Sequence, residues 1–293
     1  MLWIIGAKGM LGTEAARLCE ASALAYRGSD REVDITQGES LRAFAQAQGP
    51  VSWILNCAAY TAVDMAEEDA LSCSRINTQG AANIARLAAE IGAGMIHLST
   101  DYVFNGKGRR PYREDDEPCP LGVYGRSKRE GEVAIQSLHK AAYIIRTAWL
   151  YGAYGKNFVT TMLRLMKEQD QVSVVHDQRG SPTWAYDLAR LILRIIGTHA
   201  EGRPLPYGIY HFSHEGDISW FDFASEIYRQ AREQGLLTRP CTLKPCTSAE
   251  FPAKVTRPAY SVLDKGKIHA ALGVDIPDWK LSLRAFLQTL SPF

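Results

Sequence analysis

The first half of the chain alternates short apolar runs with stretches in which apolar residues recur every three to four positions. Leu2 to Ile5 is an unbroken apolar run ahead of a glycine turn, and the spacing then predicts a helix from about Leu11 to Ala21. Leu24 to Tyr26 reads as a second strand, Ser40 to Gln48 as a helix and Trp53 to Cys57 as a third strand. One long helix is predicted over Ala66 to Ile91, stopped by Gly92 and Gly94. Met95 to Ser99 is the next strand, followed by a helix from about Val123 to Gln136 and a strand over Tyr143 to Arg146. Strands alternating with helices predict βαβ units around a mostly parallel sheet, an α/β Rossmann-type doubly wound fold.

After Tyr151 the texture changes. Proline, glycine and aromatic residues separate shorter elements, as in Ser181-Pro182-Thr183, Arg203-Pro204-Leu205-Pro206 and Lys244-Pro245. The predicted layout is a dinucleotide-binding domain over residues 1–150 and a smaller, mainly substrate-binding lobe over 151–293. A segment near 184–215 is expected to return to the first unit, because Gly208 to Phe212 can add a strand to its sheet. A last helix is predicted over Lys280 to Leu290.

Composition narrows the function. Lys plus Arg is 33 and Asp plus Glu is 32, so the formal charge is only +1, whereas a dedicated nucleic-acid binder is distinctly basic. An apolar share of 46% excludes a disordered chain. The most apolar stretch, Leu188 to Ile196, is short and interrupted by Arg190 and Arg194, so no membrane span is expected. Met1 to Ile5 runs straight into the glycine turn without the pattern of a signal peptide. The six cysteines are scattered with no CxxC pair, which fits a reducing cytoplasm.

The turn after Leu2 to Ile5 reads Gly6-Ala7-Lys8-Gly9-Met10-Leu11-Gly12, a GxxGxxG loop opening a helix. Glycine serves three purposes in such a loop: a tight turn, close approach of backbone to a pyrophosphate, and close packing of helix on strand. The helix N-terminus supplies free N–H groups and a partial positive charge to the phosphates. At the second strand the first charged residue is Arg27, with Arg31 nearby, which favours a 2′-phosphate and hence NADPH. Asp30 keeps NADH open, as a partner for a free 2′-hydroxyl.

Tyr124-Gly125-Arg126-Ser127-Lys128 places a phenol and an amine four residues apart, on one helix face. At roughly 6 Å and an effective dielectric near 20, the ammonium is worth about 2.8 kcal/mol to a phenolate, or roughly two pKa units. Lys128 is therefore expected to pull the Tyr124 phenol toward working range. Ser99-Thr100-Asp101-Tyr102-Val103-Phe104 lies at the carboxyl end of a strand, where open α/β sheets place ligands.

A glycine loop, a strand-end Ser/Thr and YxxxK in that order resemble the short-chain dehydrogenase/reductase superfamily, in the extended branch that acts on nucleotide sugars. Asn56 to Asp64, Ser99 to Phe104, Val123-Tyr124-Gly125, Arg146 to Tyr151, Asn157-Phe158, Asp177-Gln178 with Gly180 to Thr183, and Arg257-Pro258 with Ser261 together resemble the dTDP-4-dehydrorhamnose reductase family. The likeness runs over nearly the whole chain. It implies reduction of the C4 ketone of dTDP-4-dehydro-6-deoxy-L-mannose to dTDP-L-rhamnose with NADPH or NADH, in a homodimer.

By position, the resemblance makes Tyr124 the general acid, Thr100 its tuning partner and Lys128 a holder of the nicotinamide ribose. Gly6, Gly9, Met10, Leu11 and Gly12 would meet the phosphates. Arg27, Asp34 and Ile35 would lie near the adenosine, and Ala58, Ala59, Tyr60, Asn77 and Ser99 would line the rest of the cofactor site. Thr100, Asp101, Phe104, Tyr124, Trp149, Asn157 and Arg257 would contact the sugar nucleotide. Some members bind magnesium between subunits; Glu14 matches one ligand, but Tyr186 and Thr289 stand where carboxylates would be, so no metal is expected.

Other readings share these motifs. A reductase or epimerase on a related nucleotide 4-keto sugar, or a 4,6-dehydratase, has the same loop, tyrosine and lysine, but a dehydratase needs an acidic residue where this chain has Tyr102. The non-catalytic alternative is a regulatory subunit like that of methionine adenosyltransferase, which intact Thr100, Tyr124 and Lys128 oppose. His211 and His214 are read as ordinary strand-end histidines, and Cys57 as a small buried residue.

Overall fold

The computed structural model describes residues 1–251 and 255–290. In chain order the first half comprises β1 (Leu2–Ile5), α1 (Met10–Ala21), β2 (Tyr26–Ser29), α2 (Gly38–Gln48), β3 (Trp53–Asn56), α3 (Val63–Ala66), α4 (Ala70–Ser74), α5 (Ala81–Ile91), β4 (Gly94–Thr100), α6 (Val123–Leu138) and β5 (Ala142–Thr147). The second half comprises β6 (Leu150–Tyr151), α7 (Phe158–Glu168), β7 (Gln171–Val175), β8 (Arg179–Gly180), β9 (Thr183–Trp184), α8 (Ala185–Ala200), β10 (Gly208–His211), β11 (Ile218–Ser219), α9 (Trp220–Glu233), β12 (Thr242–Cys246), α10 (Gly266–Leu272) and α11 (Trp279–Gln288).

Six strands form one parallel sheet in the order β10-β5-β4-β3-β1-β2. The apolar run of β1 explains its central place. Leu2 and Ile4 face α1 and α8 through Leu11, Ala15, Leu188 and Ile192, while Trp3 and Ile5 face α2 and α5 through Leu41, Ile84 and Ala85. A strand covered on both faces has no polar side to show, which is the signature of a parallel α/β sheet. The segment 208–211 does return to this sheet: β10 pairs with β5 from Gly208 opposite Tyr143 to His211 opposite Arg146. A second core joins α7, α9 and α11 to the parallel pair β7 and β12 through Val159, Leu163, Phe223, Ile227, Leu283 and Phe286.

Two elements differ from the sequence reading. β2 begins at Tyr26 instead of Leu24, because α1 closes through Ala23 in the left-handed region (φ 54°) and the Leu24 N–H bonds back to Cys19 O at 2.9 Å. The helix predicted over Ala66 to Ile91 is broken. Asp69 caps α4 by accepting the Ser72 N–H, and Arg75–Gly80 forms a π-helical turn before α5. Both features answer to capping and to hydrogen bonds that an apolar period does not register.

Candidate active site

The sheet order reverses at β1 and β3, and outside their carboxyl ends lies a crevice of about 940 Å³. Gly6, Lys8 and Gly9 line it from the loop after β1, Asp30, Arg31, Asp34 and Ile35 from the segment after β2, and Ala58, Ala59 and Tyr60 from the segment after β3. The loop makes its turn at Gly6 (φ +79°), and a Cβ on Gly12 would sit 2.2 Å from Gly6 O. Only glycine lets α1 start so close to the loop. No side chain caps α1, so the N–H groups of Met10, Leu11 and Gly12 remain for an anion. The Leu11 side chain itself belongs to the core, which leaves only its backbone for that contact.

Arg27 does not line the crevice. β2 runs on to Ser29, so Arg27 lies within the strand opposite Trp3, with Nη1 donating to its neighbour Tyr26 O at 3.1 Å. The charged groups at the crevice are instead Lys8, Arg31 and Asp30. The Asp30 carboxylate accepts the Lys8 N–H at 3.1 Å and the Arg31 N–H at 2.9 Å, which ties the glycine loop to the end of β2.

Next to the crevice, β4 ends in Thr100, whose hydroxyl donates to Asp101 Oδ1 at 3.0 Å and accepts the Tyr102 N–H at 3.2 Å. α6 docks directly on this turn: a Cβ on Gly125 would be 2.2 Å from Tyr102 O. That approach brings Tyr124 beside Thr100, its ring edge-on to Tyr102 at 5.6 Å. Burial pushes the half-buried Tyr124 phenol well above its ordinary value near 10, against the pull of its hydrogen bond with Thr100, and the nearby Asp101 adds to the rise. Burial also raises the Asp101 carboxyl to about 6, despite hydrogen bonds from its neighbours.

Lys128 corrects one expectation. It shares a helix with Tyr124, but its amine, 2% exposed, donates to Leu98 O at 2.6 Å and lies 3.3 Å from His97 Nε2. Burial lowers it to about 8, with Glu132 working in the opposite direction. The charges felt by the phenol are those of Asp101 and its neighbours, so Tyr124 rests as a protonated acid.

Other candidates divide. Asn77, in the π turn, accepts the Tyr60 N–H at 2.8 Å and donates to Tyr60 O at 3.1 Å and Ser127 Oγ at 3.0 Å, so it joins the crevice wall to α6. Ser99 is buried beside the Glu132 carboxylate. Trp149 leaves β5 at φ +48° and stacks on Trp220 with ring centroids 3.5 Å apart. Arg257 donates from Nη2 to Asp64 at 3.1 Å, and its buried Nε has no partner among the described residues.

Two of the residues expected at the substrate have structural partners in the fold. Phe104 is fully buried, stacked on Tyr112 at 4.2 Å with the Arg146 guanidinium over its ring, 5.1 Å from the centroid. Asn157 caps α7 in a reciprocal bond with Thr160 and donates to Gly152 O at 2.8 Å, which consumes its carboxamide. His211 and His214 are buried, and burial lowers both to about 3. Glu14 is buried beside Arg17, and no group of three His, Cys, Asp or Glu suited to a metal occurs among the described residues.

The sequence reading gave no role to His97 and Glu132, which sit against Lys128 and its helix and carry no spacing signature, and it held Asn56, the partner of His97, only as the first residue of a family motif. Gly125 was in view only as the middle of YxxxK.

A family model described as the RmlD substrate binding domain matches residues 1–291. The chain is 39% identical over 289 residues to the dTDP-4-dehydrorhamnose reductase of Aggregatibacter actinomycetemcomitans, with 97% of each chain covered. It is 40% identical over 288 residues to a Streptomyces antibioticus protein named probable dTDP-4,6-dihydroxy-2-methyloxan-3-one 4-ketoreductase, with 97% of this chain and 94% of that one covered. A crystal structure of dTDP-4-dehydrorhamnose reductase from Bacillus anthracis in complex with NADP matches at a TM-score of 0.91 and 36% identity over 99% of both chains. By its sequence and its fold, the chain belongs to the dTDP-4-dehydrorhamnose reductase family.

Proposed function

We propose that the protein reduces the C4 ketone of dTDP-4-dehydro-6-deoxy-L-mannose to give dTDP-L-rhamnose. The observation that carries this reading is a protonated phenol, Tyr124, held beside Thr100 at the end of β4 next to the crevice of β1 and β3. Gly6, Gly9, Ala58, Ala59, Tyr60 and the free N–H groups of α1 would hold the dinucleotide, since the loop gains by glycine the close approach that a pyrophosphate needs. Arg31 and Lys8 favour NADPH at the 2′-position, and the Asp30 carboxylate keeps lone pairs for the hydroxyl of NADH.

When bound, the reduced nicotinamide supplies a hydride to the carbonyl carbon. Tyr124 gives its proton to the carbonyl oxygen as charge develops there. The Thr100 hydroxyl can rotate between two neighbours. Its proton goes to Asp101 at rest and is free to swing to the phenolate once Tyr124 has donated. The Trp149 and Trp220 pair offers an aromatic wall for the nucleotide sugar, and the unpartnered Nε of Arg257 offers a donor for its diphosphate. The Trp149 and Trp220 pair, packed on the core of α7, α9 and α11, supports reading that lobe as the substrate lobe.

A dehydratase is disfavoured by Tyr102, and a purely regulatory role by the complete Thr100, Tyr124 and Lys128 set. The family resemblance supports a homodimer, and six unpaired cysteines support a reducing compartment such as the cytoplasm. The test is nicotinamide oxidation by the purified protein with this sugar nucleotide, using NADPH and NADH separately. Tyr124→Phe should lower kcat by about 10²–10⁴-fold while cofactor affinity stays within about twofold. Near-normal turnover by that variant refutes the assignment of the acid.

A further inference from the structure

The helix that carries Tyr124 starts without a cap of its own. Gly122 holds the N-cap position of α6 in extended backbone (φ −112°, ψ 172°) and has no side chain to accept the first N–H groups of the helix. The Val123 N–H goes instead to Glu67 Oε1, 2.7 Å away and 56 residues earlier in the chain, at the end of α3. Gly122 and Glu67 fit each other: a Cβ on Gly122 would lie 2.8 Å from that oxygen and 3.1 Å from Val255 Cγ1. A local Ser or Asp cap and the Glu67 carboxylate contend for one space.

The backbone under Glu67 is well held. Its neighbour Ala66 is fully buried, and the N–H groups of Glu68 and Asp69 both return to Met65 O, at 3.1 and 3.0 Å. Asp64, three residues earlier, accepts Arg257 Nη2 at 3.1 Å. On its other side the same turn of α6 meets the segment after β4, where a Cβ on Gly125 would come within 2.2 Å of Tyr102 O. The first turn of α6, residues 123–126, is thus gripped between α3 and the end of β4, with Tyr124 inside the grip. Besides burial, the groups that raise the Tyr124 phenol are Asp101, Tyr102 and Cys73. Glu67 therefore acts by place and not by charge.

We propose that Glu67 is a positioning residue for the general acid: by capping α6 from α3, it sets the depth at which Tyr124 meets Thr100. The proposal rests on the reductase reading above. Without the Glu67 bond, the Val123 N–H joins the other orphan donors of the helix start and the first turn can open. Opening carries the phenol away from Thr100 and lowers the share of molecules ready to give up a proton. Glu67 is exposed, so its loss is that of a surface cap, about fivefold in kcat, equivalent to about 1 kcal/mol. The glycine loop and α1 are built from other segments, so cofactor KM should stay within about twofold.

The test measures kcat and KM for cofactor and sugar nucleotide, with hydrogen exchange at the Val123 and Tyr124 amides as an independent reading. Glu67→Ala should lower kcat about fivefold and speed exchange at those amides. Glu67→Gln keeps an acceptor oxygen and should hold kcat within about twofold of wild type. Gly122→Ser alone runs into Glu67 Oε1 and should be impaired. In the Glu67→Ala background the same serine has room to accept the Tyr124 or Gly125 N–H as an ordinary cap, and should restore most of kcat. Unchanged kcat in Glu67→Ala overturns the proposal. So does an equal loss in Glu67→Gln, which would make charge the cause, or a double variant no better than Glu67→Ala. If Glu67→Ala does not fold, the double variant still decides, because a local cap restores the enzyme only if capping is what Glu67 provides. Absence of ketone reduction by the wild type would instead overturn the reductase reading, while amide exchange would still report on the cap.

Discussion

Glu132 and Arg146 tie α6 to β5 beneath the active site, and Glu132→Gln probes what that tie is worth. Arg146 Nε and Nη2 donate to the two carboxylate oxygens at 2.9 and 2.8 Å, and Arg129 adds a third bond at 3.1 Å. Both partners of the inner pair are at most 1% exposed. Burial raises the Glu132 carboxyl, but the Arg146 bonds outweigh it and hold the group below its ordinary value of 4.5. Glutamine keeps the shape and removes the charge. It strands the Arg146 guanidinium between the Phe104 ring and a neutral His211.

Removing one partner of a buried pair costs about 3–5 kcal/mol. With about 2.1 cal/mol/K of unfolding entropy per residue, a chain of 293 residues loses about 5–8 °C of Tm. The sign with pH follows from the depressed value. The Glu132 contribution is present above pH 4.5 and is lost as pH falls through the lower folded value, so wild type and variant should converge in acid. Thermal melts followed by circular dichroism from neutral to acidic pH make the measurement. A Tm loss under about 2 °C at neutral pH would refute the argument, because it would mean that Arg146 finds full compensation elsewhere.

Gly12→Ala places a Cβ 2.2 Å from Gly6 O and 2.8 Å from Ala7 Cα, both backbone, so the loop or α1 must shift; isothermal titration should show cofactor affinity down by about tenfold or more. Asn157→Ala removes the cap of α7 and should cost about 1 kcal/mol with KM for the sugar nucleotide within twofold of wild type, whereas a KM raised about tenfold would return Asn157 to the substrate site. The pH profile of kcat/KM should fall on the acid side near 6, where protonated Asp101 stops accepting from Thr100, and Asp101→Asn should abolish that limb.

The parts of the molecule legible in the chain are those set by neighbours in sequence. The unbroken run of β1, the glycine spacing that follows and the helical turn separating Tyr124 from Lys128 each rest on backbone geometry within a few residues, and each stands as read. The return of β10 to the sheet was also visible, because a short apolar strand among prolines has little else to do than pair. The helix over Ala66 to Ile91 failed because Asp69 and Asn77 act through specific hydrogen bonds to which an apolar period is blind.

Tertiary structure alone decided the electrostatics. Lys128 meets His97 and Leu98 from β4, with His97 held in turn by Asn56 of β3, and Phe104 meets Tyr112 and Arg146 from distant segments, so neither burial nor partner could be read locally. The four-residue spacing set the amine and phenol on one face and suggested a cation acting on a phenol. Packing instead sank the amine against a histidine and a carbonyl, where the cost of leaving water, which depends on every residue around it, outweighs the attraction that sequence spacing could suggest.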